Sequence, residues 1–269
     1  MNTVATDQRL SLTPGGAPEE APGEAPDRVP GTGESGGSST PWWHRLAVFD
    51  LETTGIDVET SRIVSAYVGV LDADGTPVGV AWLADPGVEI PAQASAVHGI
   101  TTEHATTHGR PAAEVVGEIV AVLRSLLARG IPVTIYNAAY DLTLLNREAV
   151  RYGIEPLDDP GPIVDPLVID RALDRYRKGK RTLEIAAALY GVELLDAHDA
   201  RADAVAAGRL AQAIARKFSV ELPPDVESLH EQQAMWSEES AASFQEFRRR
   251  TDPSFTSVGE WPERSQASG

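Results

Sequence analysis

The segment Leu46–Glu52, LAVFDLE, constrains this chain more than any other. A short apolar run of this kind suits a central strand, and this one ends in two acids, Asp50 and Glu52. Alternate strand residues share a face, so the two carboxylates project together. Like charges so placed repel, and a hard cation is the simplest relief. An acid pair on a wet sheet face needs no ligand. Here the pair closes a run expected in the interior and precedes Thr53-Thr54-Gly55, which favours a site.

The flanking sequence builds a sheet around that strand. Arg62–Asp72 and Pro77–Asp85 read as strands joined by the turn Ala73-Asp74-Gly75, hence an antiparallel pair. Val115, Ile119, Val122, Leu123, Leu126 and Leu127 fall at helical spacing between Pro111 and Arg129, and Gly130 supplies the stop. Pro132–Tyr136 is a short strand, after which Asn137 caps a helix to about Tyr152, ended by Gly153. Ile163–Pro166 makes a fifth strand, and helices follow at about Pro166–Arg175, Thr182–Tyr190 and Asp199–Phe218. Hairpin strands followed by alternating helices and strands predict an α/β fold with a mixed five-stranded sheet flanked by helices.

Three regions result. Residues 1–40 are rich in Pro, Gly, Ser and acids, and such a segment buries too little apolar surface to offset its ordering entropy, so a disordered extension is expected. Residues 41–223 form the globular domain. After the Pro223-Pro224 break, residues 224–269 hold a separate helical stretch from Val226 to about Arg250, with Leu229, Met235, Trp236 and Phe244 on a weak apolar stripe, and then a loose tail.

Composition narrows the function. The chain has no cysteine, which excludes disulfides, thiolate zinc sites and a cysteine nucleophile. Neither a secretory signal nor a membrane span is read in it, so a cytoplasmic location is expected, with no membrane partner. The net charge of −17 argues against tight non-specific duplex binding, since nucleic-acid affinity rests largely on neutralising phosphates. Binding through metal ions escapes that objection, because the ion inverts the local field.

Three more residues bear on the acid pair. Asp141 follows a strand and opens a helix, the position where α/β sheets place ligand crevices, although an acid there also compensates the helix dipole. Asp203 lies on an alanine-rich helix, where an acid is ordinarily just solvated. His198 precedes Asp199, a good N-cap; five helical residues turn about 500°, so His198 and Asp203 reach one site only if His198 stands on the loop before the helix. A loop histidine there can approach a reactive water, and its ordinary pKa suits a general base near neutrality.

Taken together, FDLETTG (49–55), YNAAYDLTLL (136–145) and HDARAD (198–203) resemble the three motifs of the DnaQ-like, DEDDh exonuclease family. AVHGIT (96–101), VDPLVIDRA (164–172) and GKRTLE (179–184) are similar to further family segments in the same order. The resemblance spans roughly 46–217. It implies a ribonuclease H-like sheet and a 3′→5′ exonuclease releasing nucleoside 5′-monophosphates from single-stranded nucleic acid 3′ ends, with DNA the substrate expected. By similarity Asp50, Glu52, Asp141 and Asp203 hold two divalent cations, Mg²⁺ or Mn²⁺ given an all-carboxylate set, and His198 is the general base.

The resemblance also implies substrate contacts at Leu51 and Thr53, at His98 in its His-Gly-Ile-Thr loop, and at Tyr140, where the family usually has Phe. For His98 a structural role competes, and for Tyr140 a core aromatic. Arg175, Arg177, Lys178, Lys180 and Arg181 form the one dense basic cluster, read as contacting phosphate. Tyr136 replaces a family His, and Gln232–Trp236 is unlike a sliding-clamp motif. The partner expected besides the strand itself is a DNA polymerase or repair factor. Two readings compete: an RNA-trimming or oligoribonucleotide exonuclease, and a non-catalytic polymerase-associated scaffold acting through its tails.

Overall fold

The computed structural model describes residues 40–74, 76–194 and 197–265. The expected disordered extension and Gly75 of the expected turn lie outside the described residues.

The first strand is β1 (Arg45–Thr53), followed by β2 (Ile63–Asp72) and β3 (Val78–Asp85). These form an antiparallel meander with Asp50 opposite Tyr67 and Glu52 opposite Ser65, and a register shift between Glu52 and Thr53. Two short helices, α1 (Ala92–His98) and α2 (Thr102–His108), lead to β4 (Arg110–Pro111) and α3 (Ala112–Ala128). Then come β5 (Val133–Thr134), α4 (Ala138–Arg151), β6 (Ile163–Val164), α5 (Pro166–Leu173), α6 (Leu183–Tyr190), α7 (Ala200–Lys217) and α8 (Val226–Arg249). The sheet order is β4-β3-β2-β1-β5-β6, with β5 and β6 parallel to β1.

The sheet therefore has six strands, not five. The added strand is the two-residue β4, which pairs parallel with β3 just where the sequence expects α3 to begin. So short a strand carries no alternation to read. Both α1 and α2 also lie in a stretch given no element from sequence. Their seven-residue length spans barely two turns, too few for apolar periodicity to register.

Burial splits by parity along β1. Ala47, Phe49 and Leu51 join the core beneath α3 and α4, while Leu46 and Val48 pack against α7. The close approach of α7 depends on Gly208, where a Cβ would stand 2.5 Å from Val48 Cγ1 and 2.8 Å from Leu71 Cδ2.

The C-terminal helix is joined to the sheet. Leu229 and Gln233 of α8 are fully buried, and Gln233 Nε2 donates to the Ile163 carbonyl at 2.9 Å. Beyond α8, Trp261 is buried in the main core, where a loose tail is expected from the polar sequence. Of the expected α8 stripe, Leu229 is buried and Trp236 packs on both main cores, but Met235 and Phe244 are exposed. No helix among the described residues is long and apolar enough to cross a membrane.

Candidate active site

The parity that turns Leu46 and Val48 toward α7 turns Asp50 and Glu52 the same way, one step past the apolar run. The helix answers with Asp203 in its first turn. One carboxylate oxygen from each of Asp50, Glu52 and Asp203 lies within 4.8 Å of the other two. Asp199 caps the helix as expected, accepting from Ala202 N at 3.0 Å. Asp203 Oδ2 accepts from the His198 backbone N–H at 3.2 Å, while its Oδ1 is buried with no hydrogen-bond partner. A buried carboxylate oxygen without a donor beside two other acids fits a divalent cation, for which hard oxygens are the preferred ligands.

Asp141 stands outside that triplet but lines the same cleft, of about 390 Å³, with Asp50, Glu52, Asp203 and His198. Its placement follows from a residue that the sequence reading passed over. Asn137 occupies the cap position of α4 in the left-handed conformation, φ 67°, and its side chain makes no capping bond. The cap is instead supplied by the buried Asp165, which accepts from Asn137 N (3.0 Å), Ala138 N (2.9 Å) and Leu167 N (2.9 Å). One carboxylate thus satisfies the starts of both α4 and α5 and fixes the turn bearing Asp141. The Asp165-Pro166 pair was its local signal, as an acid cap before a proline at the first helical position.

The electrostatics are those of acids held together without compensation. Burial, then the charges of Asp141, Glu52 and Asp203, raises the Asp50 pKa well above its ordinary value. Glu52 is pushed up to about 8 by burial and by Asp203 and Asp199. Asp141 is raised chiefly by burial, against which the Leu51 backbone works, and Asp203 is raised chiefly by burial too. Perturbed carboxyls clustered in one cleft mark a functional site more often than a structural one.

His198 stands on the loop before α7 with φ 72°. Its imidazole is half exposed at the cleft, with Nε2 3.6 Å from Glu184 Oε1 on α6. Glu184 lies in the GKRTLE segment, but sequence gave no reason to pair it with His198. Leu51 and Tyr140 also line the cleft. The Tyr140 hydroxyl lies 2.7 Å from that of Thr53, and both reach the Gly55 carbonyl, which locks the ring. Thr53 therefore supports Tyr140 and is not part of the cleft lining. His98 is also set back from it, closing α1 with Nδ1 accepting from Ile100 N at 3.2 Å. Burial lowers the His98 pKa, and the charge of His198 lowers it further.

The basic cluster divides. Arg177 and Arg181 both bind the fully buried Asp170, the latter at 2.6 Å, and Tyr190 donates to the same carboxylate at 3.0 Å. These two arginines neutralise a buried acid, which corrects the reading of the whole cluster as phosphate contacts. Arg175, Lys178 and Lys180 remain exposed.

Comparison with known proteins agrees with this architecture. The sequence profile of the exonuclease family (RNase T) matches residues 47–211. No curated protein matches the chain. E. coli exonuclease I in complex with a dA16 oligonucleotide is similar with a TM-score of 0.56 and 20% identity over 65% of this chain and 42% of that one. The complex with dT13 gives 0.54 and 18% over 65% and 42%. Exonuclease I from Methylocaldum szegediense gives 0.53 and 23% over 64% and 40%. The chain thus matches only about two-fifths of the length of these structures. Their likeness bears on the fold, a ribonuclease H-like sheet flanked by helices, whereas the profile match covers more than half of the sequence. With its acid cleft at the end of β1, the chain belongs to the exonuclease family of the DnaQ-like superfamily.

Proposed function

We propose that the protein is a metal-dependent 3′→5′ exonuclease of the DEDDh class that removes nucleoside 5′-monophosphates from single-stranded DNA. The observation that carries this is the convergence of Asp50, Glu52 and Asp203, with an unpartnered Asp203 oxygen, beside a loop-borne histidine. Asp50, Glu52, Asp141 and Asp203 hold two divalent cations, Mg²⁺ or Mn²⁺, which when bound supply positive charge to the phosphate and to the oxygens gained and lost.

The chain's own groups do the rest. His198 accepts a proton from the attacking water as its oxygen adds to phosphorus. The bond from phosphorus to the 3′ oxygen of the preceding nucleotide breaks, and that oxygen takes a proton from solvent to leave a shortened strand. Glu184, 3.6 Å from Nε2, orients the imidazole. Tyr140, locked by Thr53 and Gly55, offers a rigid face to the terminal base, with the Leu51 backbone beside it. His98 steadies the rim of the site near Thr53.

DNA is favoured over RNA as substrate because similar exonuclease I structures hold dT13 and dA16. An exonuclease I/SSB-Ct complex is also similar, so a single-strand-binding protein is the partner we favour over a polymerase. The test is incubation of 3′-labelled single-stranded DNA and RNA with the purified protein in Mg²⁺ or Mn²⁺, with Asp50→Ala as control. Labelled mononucleotide from DNA, absent in the control, is the expected result. No release from either polymer in either metal would overturn the enzyme reading, and release from RNA alone would replace DNA by RNA.

A further inference from the structure

A groove of about 690 Å³ runs beside the cleft, between α5 with its following loop and the C-terminal half of α8. On the α5 side it is lined by Arg171, Arg175 and Tyr176, and on the α8 side by Trp236, Phe244 and Phe247. Arg171 and Arg181 line both this groove and the acid cleft, so the two are continuous.

Its chemistry is unlike the rest of this acidic chain. Arg177 and Arg181 are engaged with Asp170, but Arg171 and Arg175 are exposed and make no hydrogen bond or ion pair among the described residues. Tyr176 is 91% exposed and Phe247 61%, an unusual display of rings beside free guanidinium groups. Trp236, Ser240, Phe244 and Phe247 recur at helical spacing, so they form one face about 16 Å long from first to last. Glu239 is the single acid in the lining.

We propose that this groove carries the single-stranded nucleic acid leading into the cleft, with Arg171 and Arg175 on its phosphates and Tyr176, Phe244 and Phe247 stacking on its bases. Aromatic faces interleaved with arginines are what an unpaired strand requires, since every base has a π-face and every linkage a charge. A purely apolar groove would suit a peptide helix. The unpartnered arginines select a polyanion instead. The wall on α8 begins at Trp236, beyond the family match that ends at residue 211, so this chain adds its own strand path to the shared core. The inference rests on the proposed nuclease site at the end of that path.

The test uses the full chain carrying Asp50→Asn, in Mg²⁺, with 5′-fluorescein dT12 and rU12 read by fluorescence anisotropy. Adding Arg175→Glu or Phe247→Ala, both surface changes, is expected to raise Kd for the preferred polymer about tenfold. In the wild-type background the same two changes leave hydrolysis of thymidine 5′-(p-nitrophenyl phosphate) within about twofold, because that small ester occupies only the cleft. Unchanged oligonucleotide affinity overturns the proposal, as does absence of oligonucleotide binding by the parent protein. So does a sedimentation shift from dimer to monomer at constant affinity, which would make the groove an interface between copies. If the wild type fails to cleave the ester while the groove variants still weaken oligonucleotide binding, the nuclease reading falls and the groove stands.

Discussion

Glu52 shows what the acid cleft costs the fold. Its pKa near 8 means that the folded protein favours the protonated carboxyl relative to the unfolded chain, whose ordinary value is 4.5. The stability so gained is complete below about 4.5 and is lost as pH rises through about 8. Asp50, Asp141 and Asp203 shift in the same direction. In EDTA the protein is therefore expected to melt at a higher temperature at about pH 6 than at about pH 8.5, and Mn²⁺ removes the difference by stabilising the protein at the higher pH. Asp50→Asn should flatten the EDTA profile while lowering kcat at least about 100-fold. A melting temperature that climbs with pH in EDTA would contradict this account. His198→Ala separates chemistry from metal binding. It is expected to cost about 10²- to 10⁴-fold in kcat while preserving the Mn²⁺-induced rise in melting temperature, since only its backbone N–H touches Asp203. Loss of that rise would make His198 part of the metal site.

At the scale of elements, α7 decides whether the site assembles. Gly208 lets the helix lie against Val48 and Leu71, and that contact holds Asp203 over β1. Gly208→Ala overpacks the junction and should destabilise by about 1–3 kcal/mol in chemical denaturation, with activity falling as α7 moves outward. Retained stability and activity would mean that the contact yields easily. These relations also show what a sequence can disclose. The end of β1 and its acids were legible because strand parity acts within one element. The cap of α7 and the loop position of His198 were legible because helix geometry is local. The reach of Asp165 beyond its own helix was not, because its partners Asn137 and Ala138 lie at the start of another helix. The pairing of Arg177 and Arg181 with Asp170 was likewise hidden, because a basic run looks alike whether it faces phosphate or a buried acid. Of the two-residue strands, β5 and β6 were legible as short apolar runs, whereas β4 is defined only by its pairing with β3.

For the whole molecule, a net charge of −17 must be reconciled with a polyanionic substrate. In the proposed function, metal ions held by the cleft, the unpartnered Arg171 and Arg175 of the groove and the exposed Lys178 and Lys180 of the neighbouring loop answer this locally, without a basic face. If two to four cations among Arg171, Arg175, Lys178 and Lys180 meet phosphate, log Kd should vary with log salt with a slope of about 1.4 to 2.8. Titrating dT12 binding against KCl checks this, and a much steeper slope would require phosphate contacts that the groove does not offer.

Trp261 donates its indole N–H to Asp165 Oδ2 at 3.3 Å, and Gln233 Oε1 accepts from Asp165 N at 2.7 Å. The carboxylate that starts the Asp141 helix is thereby sealed by Trp261, and its backbone is held by Gln233, both downstream of the family match. The structural boundary of the fold is therefore set by that seal, some fifty residues past the end of the family match at residue 211. A fragment trimmed to the matched region would open Asp165 to water and loosen the turn that aims Asp141. The proposed catalytic residues would all be present, on a scaffold that no longer holds them still.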